Sequence, residues 1–289
     1  MKAAVELFNN AILRDQNYAA AYAGLADASA IQGYLRSVKG SEPFYKARSA
    51  AQRALQLDSQ IPDSHISLAL VDSMYFWNFR EAEDELRQAL ALDPNSAYAH
   101  VVSCWYDADV GRVGDMLGEC RRAVEIDQFS PIYSGSLTLV YNYAHDYDRA
   151  LQQAKKAVEL YPTNSSMVQW LGYTYERMHN YKLAMEQWTK LAKLGGREQY
   201  ATEIMRVFEQ SGYKGYLLKD AKDMETEGDY NSAAGDYAIL GDKNAAFAVL
   251  EKAFLNRTAL FAIKVQPEFD NLRSDPRYAD LLRRIGLPQ

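Results

Sequence analysis

The chain has 289 residues, a formal charge of −6, and 48% apolar against 24% charged side chains, the balance of an ordinary soluble folded protein. Its acidity gives no basic footprint for a phosphate backbone, which argues against direct nucleic-acid binding, and no apolar run reaches the roughly 18 residues of a membrane span. Cys104 and Cys120, the only two cysteines, make no disulfide framework and suit a reducing, cytoplasmic setting.

The opening "MKAAVELFNNAILRD" predicts an amphipathic helix over about residues 2–15, with acids inside its apolar stretch, unlike a signal peptide. "LRSVKGSEP" (35–43) carries Gly and Pro and reads as an inserted surface loop, with a binding loop as the alternative. From residue 63 four stretches align without gaps at a spacing of 34: 63–96, 97–130, 131–164 and 165–198. Ala82, Met116, Ala150 and Ala184 form one column, and Ala89, Ala123, Ala157 and Leu191 a second. Phe79, Val113, Tyr147 and Tyr181 form a third, and Pro94, Gln128, Pro162 and Gly196 a fourth. The register extends upstream through Ala47, Ala51 and Ala54, and before that through Ala4, Phe8 and Ala11; downstream it returns at Ala246, Leu250 and Ala253.

A fixed period of this length means stacked supersecondary units. Within each unit two apolar-periodic helices flank a short turn, and the two Ala columns lie seven residues apart, on one helix face. Side chains that small let helix axes approach closely. "LDP" (92–94) and "LYP" (160–162) end helices, since the residue before Pro is driven out of the α region, and the Ser and Asn that follow are N-cap candidates.

"QWLGYTYERMHNYKLAMEQWTKLAKL" (169–194), with Leu171, Gly172, Tyr175, Tyr181, Ala184 and Trp188 at signature positions, resembles a tetratricopeptide repeat. The resemblance covers residues 1–194 and, less closely, 229–256. It implies an all-α fold, an α-solenoid of helical hairpins wound as a right-handed superhelix with a concave groove. The expected organisation is an array over 1–194, opening on an unpaired second helix followed by about five hairpins, then degenerate hairpins over 195–256 and a C-terminal capping segment over 257–289. An array opening on an unpaired helix is expected to be a piece of a longer protein, or to be covered by a partner. In residues 197–227 two helices are still predicted, but the Ala columns are lost. The C-terminal third, with "LGDKNAAFAVLEKAF" followed by "VQPEFDNLRSDPRYADLLRRIGLP", resembles the end of a bacterial lineage of such proteins. There the array lies C-terminal to a winged-helix domain, a Ser/Thr kinase or an adenylate-cyclase-type domain.

No catalytic constellation, phosphate-cradling loop or metal-ligand spacing is found, so no cofactor, no metal and no enzymatic activity are expected. His145 and His179 fall just before turns and read as solvated, while the two cysteines read as small buried side chains, with a redox switch as the alternative. In the resembled family the first helix of each pair lines the groove. On that register the inward stripe takes in Met74, Tyr75, Trp105, Asp109, Leu139, Asn142, Tyr143, Gln169, Tyr173, Glu176 and Arg177, with Val71 and Val101 beside them. Only Arg177 in this stripe is cationic, so the chaperone-tail clamp of some family members is not expected. An aromatic stripe with scattered acids suits an apolar or amphipathic peptide or helix, from a partner protein or another domain of the same polypeptide. The implied function is a non-catalytic interaction scaffold in a bacterial signalling or transcriptional regulator. The alternatives are an enzyme or small-ligand pocket in the degenerate third, and self-association through the N-terminal helix. The tail itself reads as a cap: Phe269, Leu272, Tyr278, Leu281, Leu282 and Ile285 would cover the last hairpin, with Ser274 or Asp275 capping a final helix.

Overall fold

The computed structural model describes residues 2–34, 40–258 and 260–287. Among them are fifteen α-helices: α1 (Lys2–Arg14), α2 (Ala19–Tyr34), α3 (Glu42–Leu57), α4 (Pro62–Val71), α5 (Phe79–Leu92), α6 (Ala97–Val110), α7 (Val113–Ile126) and α8 (Pro131–Tyr143), then α9 (Tyr147–Leu160), α10 (Ser165–Arg177), α11 (Tyr181–Leu194), α12 (Glu198–Glu227), α13 (Tyr230–Ile239), α14 (Lys243–Leu255) and α15 (Pro276–Ile285). None of the described helices is long and apolar enough to cross a membrane. The chain divides into two compact units, residues 1–106 with Gly286–Pro288, and Asp107–Ile285, the boundary falling inside α6.

In unit 1, α1 packs on α2, α2 on α3, α3 on α4 and α4 on α5, with α2 also touching α4. Unit 2 repeats the scheme from α7 through α11, α8 also touching α10, and continues through α12, α13 and α14 to α15. Neighbouring antiparallel helices, with first helices touching across repeats, make an α-solenoid of helical hairpins. Burial follows the sequence columns: Ala82, Met116, Ala150 and Ala184 are 0% exposed, as are Ala47, Ala51, Ala54, Ala246, Leu250 and Ala253. At Gly172 a Cβ would lie 2.9 Å from the Trp188 ring, so the indole lies directly on the α10 backbone.

The turn inside each hairpin has one recurrent solution. Trp77, His145 and His179 have φ near 58° and Gly111 has φ 85°, one residue per repeat in the left-handed region. The next residue then donates its N–H backwards, Arg112 to Asp107 O, Asp146 to Tyr141 O and Asn180 to Tyr175 O, at 2.8–2.9 Å, which closes the helix end. In the α4 hairpin the bond spans one residue more, from Asn78 to Asp72 O, because Asp72–Phe76 forms a π-turn. Only one of these four positions is Gly, so the period carried this turn where glycine did not mark it.

α12 runs through a break at Gly212 (φ 66°), which separates the two helices expected there. Cys104 and Cys120 are buried, as expected of small core side chains, but neither is a free thiol, which corrects the reduced state expected of them. Of the predicted loop 35–43, residues 35–39 lie outside the described residues, and α3 already begins at Glu42.

Candidate functional site

In unit 1 the hairpin ends hold six aromatic rings in two groups, a stacked pair and a set of four. Tyr34 stacks on Trp105 with centroids 5.4 Å apart, and Phe44 stacks on Tyr75 at 4.5 Å. Tyr45 and Phe76 meet Tyr75 and each other edge to face at 5.2–6.0 Å, and the Arg48 guanidinium lies 4.4 Å over Phe76. The predicted stripe residues Met74, Tyr75 and Trp105 are half-buried here, while Tyr34 and Tyr45 are 37% and 58% exposed. Beneath the rings Asp72 is buried, and its carboxyl is pushed up to about 6 by desolvation, which Arg48 (3.3 Å) and Asn78 partly offset. Tyr34, Phe44, Tyr45 and Phe76 were not among the expected site residues. Phe44 and Tyr45 belong to α3, a second helix, which the first-helix rule leaves out.

In unit 2 the inward stripe holds polypeptide: the chain's own segment between α14 and α15. The Ala262 N–H donates to the buried Asp109 carboxylate at 2.7 Å. The Gln266 amide donates to Tyr143 Oη at 3.5 Å and accepts from Asn231 Nδ2 at 3.3 Å. Glu268 forms an ion pair with Arg177, their side chains only 16% and 10% exposed. Asp270 lies 3.5 Å from His145 Nε2, and Asn271 donates to Ala238 O at 2.6 Å. The Tyr278 hydroxyl, from α15, donates to Ile263 O at 2.7 Å. Ile263, Phe269 and Leu272 are 0% exposed and Val265 is 4% exposed. At about 1.5–3 kcal/mol for each buried side chain, these four anchor the segment firmly. Gly235 on α13 lies against it, a Cβ there being in ordinary contact with Glu268 Cβ at 3.4 Å.

The remaining stripe residues have other duties. Asn142 is buried and donates to Thr138 O at 3.0 Å and to Thr174 Oγ1 at 2.9 Å, locking α8 to α10. Tyr173 stacks on Trp170 at 5.8 Å, meets Trp188 edge-on at 5.0 Å, and lies under the Arg177 guanidinium. Leu139 and Gln169 are half-buried. Glu176 is buried, 3.9 Å from Arg177. Burial raises its pKa, and Arg177 pulls it down. Burial raises Asp236 as well, reinforced by Asp220 and Glu176; Asp220 stands at about 6, chiefly from desolvation, and Asp109 at about 7 for the same reason, against the Ala262 N–H. One guanidinium thus serves several crowded carboxyls.

His145 and His179, at the two hairpin turns, each pair through Nδ1 with a tyrosine two residues on, Tyr147 and Tyr181, at 2.9 Å. His145 borders an open depression of about 540 Å³ lined by Ala144, Asp146, Tyr147, Asp148 and Met178. Among the described residues no group of three or more His, Cys, Asp or Glu could hold a metal ion.

At the chain's end α15 starts with Pro276 after Asp275, whose carboxylate accepts from the Arg277 N–H at 3.0 Å. The Arg277 side chain holds that carboxyl down to about 2. Tyr278, Leu281 and Ile285 are buried, Leu282 is half-buried, and Arg284 reaches Glu251 of α14 at 2.7 Å.

No family model matches the chain. Among solved structures it is similar to TTC0263, a thermophilic TPR (tetratricopeptide repeat) protein in Thermus thermophilus, at 18% identity, over 60% of this chain and 95% of that one, with a TM-score of 0.50. It is also similar to YrrB, a TPR protein with an unusual peptide-binding site, at 19% identity over 70% of this chain and 100% of that chain, TM-score 0.45. MamA matches at 18% identity over 55% and 93%, TM-score 0.45. At 18% identity the likeness to TTC0263 speaks to fold alone. With the hairpin packing above, the fold is an α-solenoid of the tetratricopeptide type.

Proposed function

We propose that this chain is a non-catalytic member of the tetratricopeptide family, a protein-interaction scaffold in the sensor or scaffold part of a bacterial signalling or transcriptional regulator. The observation that carries the scaffold reading is the aromatic face of unit 1. Large rings that are half-buried, mutually stacked and partly open to solvent are the composition of binding hot spots. Tyr45, at 58% exposure, has the most area left for a partner to cover. The fitting occupant is a peptide or amphipathic helix with apolar anchors, from a partner protein or another domain of the same polypeptide. The regulator context rests on the resemblance of the C-terminal third alone.

Peptides selected from a random library on the wild-type protein should lose at least tenfold in affinity for a Tyr45→Ala/Tyr75→Ala variant. Equal affinity for both proteins would remove the aromatic face from the account. Self-association through α1 is a second reading, favoured by Leu7 and Leu13, which stay 68% and 77% exposed. Light scattering against concentration, with Leu7→Asp as the comparison, decides it.

A further inference from the structure

The stretch Ala262–Asp270 meets α6, α8 and α10 with the groups a bound peptide would offer. These are a backbone N–H to Asp109, a side-chain amide to Tyr143, and a carboxylate to Arg177. The residues it touches are 153 and 123 positions away for the two hydrogen bonds. It is not part of any hairpin's own repeat geometry. It is also irregular, a series of turns with one short 3₁₀ turn at Pro267–Phe269. Its fit is incomplete, since Glu268 Oε2 and Asn231 Oδ1 are buried without a hydrogen-bond partner. Occupancy by a polypeptide, a single cation of the stripe paired with that polypeptide's carboxylate, and an acceptor left over together describe a recognition surface filled by an imperfect ligand.

We propose that residues 262–270 are a built-in occupant of a surface for acidic peptides, and that a partner protein bearing a Glu–aromatic–Asp segment competes for it. The carboxylate of that segment pairs with Arg177, its aromatic residue takes the place of the fully buried Phe269, and a donor on it satisfies Asn231 Oδ1, which the internal segment leaves unpaired. The tethered segment competes at an effective concentration on the order of millimolar, so the partner must bring the aromatic anchor as well as the charge. This surface is separate from the aromatic face of unit 1 and stands or falls without it.

The test uses the full chain and, as probe, a fluorescein-labelled synthetic peptide with the sequence of residues 260–272. Glu268→Ala weakens the internal segment while leaving the stripe intact, and a tenfold larger displaced fraction reads directly as a tenfold lower apparent Kd. The expected result is at least that gain over wild type, cancelled by adding Arg177→Ala, with no binding of a probe carrying Lys in place of its Glu. A Glu268→Ala protein with wild-type helical content that binds the probe no tighter, or binds the Lys probe equally well, overturns the proposal. So does concentration-dependent dimerisation of Glu268→Ala without probe, which would make a second copy the occupant. Should that variant fail to fold, hydrogen exchange on the wild type decides. Faster exchange at Ala262, Val265 and Gln266 in excess probe supports the competition, and unchanged exchange makes the segment a fixed part of unit 2.

Discussion

Arg177→Ala is the most informative single substitution. The guanidinium pairs with Glu268, lies 3.9 Å from Glu176, and donates to Tyr173 O at 3.3 Å. Removing one member of a buried ion pair costs about 3–5 kcal/mol, because the remaining charge is left uncompensated. The Arg177 and Glu268 side chains keep 10% and 16% exposure, which places this pair at the lower end, near 3 kcal/mol. The loss should depend on pH. Burial already raises Glu176, and Arg177 is the cation that opposes it; without Arg177 the folded-state value rises further above the unfolded one. A carboxyl raised in the folded state contributes stability that is fully present below its unfolded pKa and lost as pH rises through the folded value. The deficit of Arg177→Ala should therefore be smaller near about pH 4, below the unfolded carboxyl value, than near about pH 8. Adding Glu268→Ala should restore about 1–2 kcal/mol, since an orphaned carboxylate is removed with its partner. Urea unfolding followed by circular dichroism measures all of these. A loss below about 0.5 kcal/mol, or one equal at both pH values, would refute the reasoning.

The repeat columns and the hairpin contacts give further expectations. Ala150→Leu forces three heavy atoms into a site with 0% exposure and should destabilise by about 1–3 kcal/mol, measured by urea unfolding; a neutral result would mean the column is not a close helix contact. His65 Nδ1 lies 2.5 Å from Glu85 Oε2, joining α4 to α5, and that hydrogen bond raises the His65 pKa above 6.5. A histidine raised in the folded state contributes stability present below its unfolded value and lost as pH rises through the folded one. The stability gap between wild type and His65→Gln should thus be widest near about pH 5.5 and shrink at alkaline pH; a gap that widened with pH would contradict the pairing.

The parts of this fold that could be read from sequence are those with local causes. The Ala columns are visible because close helix packing admits only small side chains, and burial of Ala82, Ala150 and Ala184 follows from that alone. The Asp275–Pro276 start of α15 and its terminal arginines follow from capping and dipole rules that act within one turn. The helical period also places Asp109, Tyr143 and Arg177 on one inward stripe. It has no means of telling whether that stripe faces solvent, a partner or the same chain. The hydrogen bond between Asp109 and Ala262 spans 153 residues, and the segment that makes it has no period to align. Asn142 shows the limit of face assignment. It lies on the stripe by spacing, yet its amide is consumed by Thr174 of the next first helix.

The central claim is that the stripe of unit 2 holds the C-terminal segment in the intact chain. Replacing Tyr143 with a photoreactive phenylalanine analogue and mapping cross-links by mass spectrometry tests this most directly. The account predicts an intramolecular cross-link to the peptide containing Gln266. Cross-links confined to α8 and α10, with none to residues 260–270, would contradict it.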